Sequence, residues 1–339
     1  MNTPLTPPPA AADALHKFLF EGLAVRGMLV RLGPSWRELL ARREASSDGG
    51  HAFPPPVRRL LGEMAAAAVL MQANIKFNGA LVLQLQGDGP VKLAVAEVQP
   101  DLSFRATAKV IGPVAADDSL AALANAGGRG RCAITLDPQD RLPGQQPYQG
   151  VVALHGDGGE PLDRLSDVLA HYLLQSEQLD TRLVLAANDE LAAGLLIQRL
   201  PMAGGANLAG ETGAPVARDE DQIGRNEDFN RIAMLAGTLT PEELLTLEPQ
   251  AVLHRLFWEE TLRLFDPLAP TFACRCSRAR VAGMLQSLGA AEIEGLIAER
   301  GLAEVGCDFC GAQYRFDAVD VGQLFTPGRE SPPASGQLQ

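Results

Sequence analysis

Cys274-Arg275-Cys276 and Cys307-Asp308-Phe309-Cys310 place two pairs of thiols near the end of a 339-residue chain that has five cysteines in all. A C-x-x-C turn flanked by Gly306 and Gly311, between short runs at 302–305 and 313–316 that read as strands, is a metal knuckle. It aims two sulfurs at one centre, at about 2.3 Å for zinc. The C-x-C pair is the obvious source of two more ligands. None of the five histidines (His16, His51, His155, His171, His254) lies in this stretch. The economical reading is a four-thiolate site holding one Zn2+ per chain on Cys274, Cys276, Cys307 and Cys310. Two other readings compete: ordinary buried thiols, and a thioredoxin-like redox pair. The redox pair wants its first cysteine at a helix N-terminus, whereas a strand is expected after Cys310. Cys132 lies in an expected strand, matches no ligand motif and reads as a buried structural thiol.

The cysteine-bearing module, residues 266–325, holds few large apolar residues. A core that small rarely folds without a staple. Metal binding in comparable zinc peptides supplies about 10–16 kcal/mol, whereas whole domains are stable by only about 5–15 kcal/mol. Loss of the metal should therefore unfold the module. Arg275, Arg278 and Arg280 crowd the C-x-C pair. Two readings are open for them: cations that offset the excess negative charge of four thiolates, or a solvated face.

The rest of the chain has the composition of a soluble globular protein, with 46% hydrophobic and 21% charged residues. Net charge is -12. Lysines are confined to Lys17, Lys76, Lys92 and Lys109, and no basic cluster long enough to follow a phosphate backbone appears. The same acidity argues against docking on anionic membranes. There is no basic and apolar leader pattern at the start. No apolar run approaches the roughly 20 residues a bilayer span needs. A cytoplasmic location follows, where thiols are kept reduced, with neither nucleic acid nor membrane as partner.

The expected fold class is α+β: an N-terminal, largely antiparallel sheet packed with helices, a helical linker and a small C-terminal zinc module. Residues 1–12 read as a disordered arm and 13–200 as the core domain. Within the core, strands are expected around 18–32. Ser35 opens a helix, with Glu38 completing a capping box. An alanine-rich helix follows over 57–73. Leu81, Leu83 and Leu85, the turn Gly87-Asp88-Gly89-Pro90, then Val91, Leu93 and Val95 form a β-hairpin. Further strands are expected at 102–108, 131–136, 149–154 and 181–187, with helices near 115–125 and 162–173. No nucleophile, base and oxyanion set is recognisable, so no catalytic residue is expected. Residues 201–265 read as a glycine-rich hinge followed by a metastable helical linker, and 326–339 as a disordered tail.

Between residues 218 and 260 the chain carries ten acidic and four basic residues, a net charge of -6. Yet Phe229, Ile232, Leu235 and Leu239, then Leu253, Leu256 and Phe257, keep helical spacing. Thr240-Pro241-Glu242-Glu243 is a capping box with proline at the first helical position. Such a helix draws most of its stability from packing, so its apolar stripe is expected to dock on the core domain's sheet.

The string Phe272-Ala273-Cys274-Arg275-Cys276-Ser277, with Glu304-Val305-Gly306-Cys307-Asp308-Phe309-Cys310, resembles the thirty-three-kilodalton heat-shock protein family of redox-regulated chaperones. So do Leu60-Leu61-Gly62-Glu63, Gln84-Leu85-Gln86-Gly87-Asp88-Gly89-Pro90, Tyr148-Gln149-Gly150-Val151-Val152, Ser176-Glu177-Gln178-Leu179-Asp180-Thr181-Arg182 and Gln198-Arg199-Leu200-Pro201. The resemblance implies an ATP-independent holdase, not an enzyme, that is quiet when reduced and zinc-bound. It implies that oxidants such as hypochlorous acid, or peroxide with heat, form the disulfides Cys274–Cys276 and Cys307–Cys310 and release zinc. The module and linker then unfold, unfolded or partly folded client proteins bind, and the active form is a homodimer. The sequence departs from the family in its proline-rich arm, its long glycine-rich stretch at 204–218 and the lack of an acidic residue at Ala279. The competing functions are a constitutive protein-binding module with a purely structural zinc, and a thiol-disulfide oxidoreductase.

Overall fold

A computed structural model describes residues 12–45, 52–141, 144–200 and 224–326. The proline-rich arm, most of the glycine-rich stretch and the C-terminal tail lie outside the described residues. The chain forms two compact units, one made mainly of residues up to Ala273 and the other mainly of Cys274 onward.

In the first unit the elements run β1 (Ala14–Phe20), β2 (Val25–Leu32), α1 (Pro34–Glu44), α2 (Pro55–Asn74), β3 (Gly79–Gln86), β4 (Val91–Val98), β5 (Ser103–Val110), α3 (Leu120–Ala124), β6 (Arg131–Pro138), β7 (Tyr148–Ala153), α4 (Leu165–Glu177), β8 (Thr181–Ala187) and β9 (Ala192–Arg199). They continue through α5 (Glu227–Gly237), α6 (Pro241–Thr246), α7 (Pro249–Phe257), β10 (Leu262–Leu264) and β11 (Thr271–Phe272). The fold class is the α+β one expected, but the antiparallel sheet is in fact two. One has the order β10-β1-β2-β9-β8 and the other β11-β5-β4-β3-β6-β7. All pairings are antiparallel except the short parallel pair β11·β5.

Helix α2 separates the sheets and touches strands of both. Its run Ala65–Ala68 is wholly buried. Small side chains are what let two sheets approach one helix. A Cβ on Gly62 would come within 2.5 Å of the Ala187 Cβ, and one on Gly194 within 2.8 Å of Leu70. Strand β9 was not legible as a strand. All eight of its residues are buried, so it lacks the alternation that marks a half-exposed strand.

The capping box expected at Ser35 and Glu38 is not what starts α1. Asp13, just before β1, accepts hydrogen bonds from the Gly33 amide at 2.7 Å, the Ser35 amide at 3.0 Å and the Ser35 hydroxyl at 2.5 Å. The Ser35 hydroxyl oxygen in turn accepts from the Phe272 amide at 3.0 Å. A residue distant in sequence has taken the cap, because β1 runs back past the helix start through its pairing with β2.

The second unit contains α8 (Arg278–Leu288), α9 (Ala290–Arg300), β12 (Ala303–Gly306), β13 (Gln313–Phe316) and α10 (Ala318–Phe325). Ser277 caps α8 by accepting from the Arg280 amide. Gly289 and Gly301, with φ of 98° and 82°, end α8 and α9. Helix α10 was not anticipated; its capping box is built from Asp317 and Asp320, without the serine or threonine that usually signals one. The core is small, consisting of Leu285, Ile293, Ala303, Phe316 and Val321. Among the described residues no helix is long and apolar enough to cross a membrane.

Replacing Asp13 by alanine strands two buried amides and a hydroxyl. Loss of a helix cap costs about 0.5–2 kcal/mol. Asp13→Ala should fall at the upper end or above, seen as a lower urea midpoint with an unchanged slope. An unchanged midpoint would show that Asp13 does not hold this corner.

Candidate metal centre

The four sulfurs come from two local structures. Cys307 and Cys310 sit in the turn between β12 and β13. That turn is closed by Cys307 N–H to Ala312 O at 2.9 Å and Gly311 N–H to Cys307 O at 2.8 Å. Gly311 takes φ of 72° there, a conformation that a Cβ disfavours. Cys274 and Cys276 lie just before the Ser277 cap of α8. The result is a cluster in which all four Sγ atoms lie within 4.8 Å of one another. Cys274 Sγ is 3.6 Å from Cys307 Sγ, and Cys276 Sγ is 3.3 Å from Cys310 Sγ. Four sulfurs about 2.3 Å from a common tetrahedral centre stand about 3.8 Å apart. The cluster therefore has the size of a closed metal site with no room for a fifth ligand. All four thiols are free, and Cys310 is buried while the other three are half-buried.

Burial opposes ionisation at Cys307 and Cys310 and pushes both pKa values up. Burial also opposes it at Cys276, but the hydrogen bond from Tyr314 and those from the neighbouring thiols outweigh it and hold that pKa below the usual thiol range. The Tyr314 hydroxyl donates to Cys276 Sγ at 3.1 Å. A divalent cation changes this balance, because its ligands bind as thiolates. The donor set is soft and all-sulfur, which fits zinc and excludes hard cations such as Mg2+ or Ca2+.

Arg278 follows neither reading open for it in the sequence. Its guanidinium lies 4.2 Å over the Phe316 ring, donates to Arg315 O at 2.6 Å and pairs with Asp320 at 2.7 Å. It is a strut joining α8 to β13 and α10. Arg280 donates to the Arg275 carbonyl at 3.0 Å. Cys132 is fully buried in β6, and burial pushes its pKa up to about 12. It lies outside the sulfur cluster.

The linker residues lie in the first unit, on the five-stranded sheet. Phe229, Ile232, Leu239, Leu253, Leu256 and Phe257 are buried against Phe18, Phe20, Val25, Leu29, Leu195 and Ile197, with Leu235 partly buried beside them. Phe257 meets Phe20 edge-on at 5.0 Å and Phe18 at 6.2 Å between centroids. Sequence reasoning missed two parts of this contact. Leu244 of α6 is fully buried. Arg31 of β2, itself buried, donates to the carbonyls of Leu245 and Leu247. The acidic outer face is partly neutralised: Arg255 pairs with Glu243 at 2.6 Å, and Arg231 with Glu260.

The family model "Hsp33 protein" matches residues 13–317. The chain is 44% identical over 313 residues to a 33 kDa chaperonin of Chromobacterium violaceum, covering 92% of this chain and 94% of that one. It is 40% identical over 316 residues to a 33 kDa chaperonin of Neisseria meningitidis serogroup A, covering 93% and 92%. The crystal structure of a 33 kDa chaperonin from Thermotoga maritima has the same fold, with a TM-score of 0.66 at 19% identity, covering 92% of this chain and 97% of that one.

A closed four-sulfur site predicts one metal ion per chain in reduced protein. Cys274→Ser or Cys310→Ser should lose it, and Cys132→Ser should keep it, as read by elemental analysis after gel filtration. Tight retention in a Cys276→Ser, Cys307→Ser double variant would remove these sulfurs as the ligands.

Proposed function

The chain belongs to the Hsp33 family, and from that premise we propose that it is a redox-regulated, ATP-independent holdase whose switch is the sulfur cluster. The observation that carries this reading is the convergence of Cys274, Cys276, Cys307 and Cys310 in a unit whose core, among the described residues, is small. Bound zinc would supply a structural cross-link between the start of α8 and the β12–β13 hairpin. The four thiolates are also the oxidisable groups. Attack on an oxidant of the hypochlorite or peroxide class takes two electrons per pair and forms one S–S bond in each. The oxidant leaves as chloride and water, or as water. With its ligands gone the metal dissociates, and the second unit loses its staple.

The disulfides are Cys274–Cys276 and Cys307–Cys310, as the family resemblance implies. Two close sulfur contacts run across the pairs, as four sulfurs gathered round one centre allow. Once the unit loosens, cysteines two or three residues apart meet far more often than cysteines over thirty apart. Peptide mapping after oxidation should therefore recover mainly within-pair links; mainly cross-pair links would contradict this order of events.

The linker completes the switch. Phe229, Ile232, Leu235, Leu239, Leu253, Leu256 and Phe257 cover the five-stranded sheet in the reduced protein. Their release exposes apolar surface on both partners, which attracts unfolded or partly folded clients. The protein works in the cytoplasm as a homodimer when oxidised, performs no catalysis, and has neither nucleic acid nor membrane as partner. The core domain at 13–200, the linker to 265 and the module at 266–325 are then functional divisions. The compact units instead divide after Ala273: the linker packs on the five-stranded sheet, and Thr271 and Phe272 pair with β5.

The deciding experiment measures zinc content and aggregation suppression side by side through an oxidation series. Activity should rise as zinc is released and fall when thiols are restored; equal activity at all stages would leave a constitutive binder. Phe229→Asp and Leu256→Asp each bury a charge under the linker, an insertion that costs several kcal/mol. Both variants should suppress aggregation while reduced and zinc-loaded. If they stay silent until oxidised, and hydrogen exchange protects the linker equally in both redox states, the linker is not the moving part.

A further inference from the structure

Two of the sequence blocks singled out above, around 176–182 and 198–200, take no part in the sulfur cluster, yet they meet in the first unit around one carboxylate. Asp180, just before β8, and Arg199, the last residue of β9, are both buried. Arg199 Nε donates to Asp180 Oδ2 at 2.8 Å, and the Arg199 amide donates to the Asp180 carbonyl at 3.0 Å. A pair of this kind ordinarily ties one strand to the next. Here the second carboxylate oxygen reaches further: Asp180 Oδ1 accepts from the Gly224 amide at 3.1 Å. Gly224 lies just before α5, the first helix of the linker.

The contact runs on into that helix. The Gly224 carbonyl accepts from Asn230 Nδ2 at 3.0 Å. Gly224 has φ of 77°, a conformation that glycine adopts without strain. An unbroken series of hydrogen bonds thus joins Arg199 of β9 to Asp180, Asp180 to Gly224, and Gly224 to Asn230 within α5. Between them Asn226 caps the helix, accepting from the Phe229 amide at 2.7 Å, and Phe229 is the first residue of the linker's apolar stripe. At the far end of α5 the exposed Arg182 lies against Gly237, where a Cβ would come within 2.9 Å of Arg182 Nη2. An acid near the start of a helix and a base near its end have the signs that the helix dipole favours.

We propose that Asp180 is the latch that positions the start of the linker on the core domain, a hold that involves no sulfur. Its regulatory meaning rests on the linker being the moving part of the switch. Apolar burial is non-directional, so the stripe alone does not fix where α5 begins. A buried carboxylate shared between a core strand and the amide that precedes α5 does fix it, and Arg199 holds that carboxylate in place. A hydrogen bond to an ionised acceptor is of the stronger kind. Asp180 acts at the N-terminal end of the linker, remote in sequence from the four cysteines. Breaking the latch therefore loosens α5 with the metal still bound.

Asp180→Leu combined with Arg199→Leu removes the latch without leaving a buried charge unpaired, an exchange that buried ion pairs often tolerate. In the full-length, reduced, metal-loaded double variant, the amides of Ile232, Ala233 and Leu235 should exchange with solvent at least about tenfold faster, the worth of one hydrogen bond to a charged group. The amides of Leu195 and Leu196 in β9 should exchange as before, and metal content should not change. Asp180→Asn is the milder change: its single oxygen can serve Gly224 or Arg199 but not both, so α5 should loosen by a smaller factor. Unchanged exchange in α5 of either variant overturns the latch. So does equal acceleration in β9, which would make the pair a support of the sheet, and so does loss of the metal. Aggregation suppression is read separately on the same samples. Loosened α5 with a gain of activity at lower oxidant supports both the latch and the switch. Loosened α5 with no such gain keeps the latch and removes the linker from the switch.

Discussion

The packing of α2 between two sheets is the contact on which the first unit depends. A helix buried over most of its surface cannot satisfy an ordinary amphipathic pattern, and α2 does not. Its alanines and Gly62 let β8 and β9 come close on one side, while other residues meet β3, β4 and β5. Each sheet thereby has one face covered, and the five-stranded sheet has a second face that α2 cannot reach. Strand β9 shows the division residue by residue. Ala192 and Gly194 approach α2, whereas Ala193, Leu195 and Ile197 point the other way and are covered by α5, α6 and α7.

The two covers of that sheet differ in kind. Helix α2 is twenty residues long, apolar over most of its surface, and has no stable alternative once the sheets have formed. Helices α5, α6 and α7 have eleven, six and nine residues, each short of the roughly 12–15 residues at which an isolated helix is even marginal in water. Each carries one apolar stripe, and α5 and α6 have acids in their first turns. What holds them is the sheet itself: the Phe18, Phe20 and Phe257 cluster, and Arg31 bonded to the carbonyls that end α6. A guanidinium at a helix C-terminus completes orphan carbonyls and opposes the dipole. If that support goes, the segment has little reason to remain helical. The contact that makes the segment fold is also the contact that hides apolar surface, as the proposed switch requires.

Much of this was legible in the sequence, and the parts that were not share a cause. The β3–β4 hairpin, the capping box at Thr240 and Glu243, the Ser277 cap and the two cysteine pairs are local patterns, and the local patterns at those residues are what the structure contains. The stripe of Phe229, Ile232, Leu253, Leu256 and Phe257 named the buried face, because helical spacing survives whatever the partner is. The missed features are non-local. Asp13 caps a helix from across a strand. Arg31 reaches carbonyls more than two hundred residues away. Strand β9 is buried on both faces and so loses its period. The second sheet exists because β2 pairs with β9 rather than with the neighbouring hairpin, a choice no window of residues records. Arg278, read as charge balance or a solvated face, proved to be a strut because Phe316 and Asp320 come to it only in the folded unit.

The second unit shows why a closed sulfur site suits sensing better than a catalytic one. A catalytic metal keeps an open position for substrate; four sulfurs leave none. The response must then come from the ligands, and here they hold the unit together. Besides the core, the ties between the start of α8 and the β12–β13 hairpin include Tyr314 on Cys276 and Arg278 on Phe316 and the Arg315 carbonyl. Tyr314 binds a sulfur directly, so modification of Cys276 removes that tie as well. Arg278 is half-exposed, and a solvated ion pair is worth at most about 1 kcal/mol. In the proposed switch, oxidation of the sulfurs would remove the metal cross-link and the Tyr314 tie together. A thiol that is merely buried, as Cys132 is, cannot couple an oxidant to a metal cross-link. Thiols placed together around a metal can do so, and in the proposed switch the chemistry of the signal and the mechanics of the response would reside in the same four atoms.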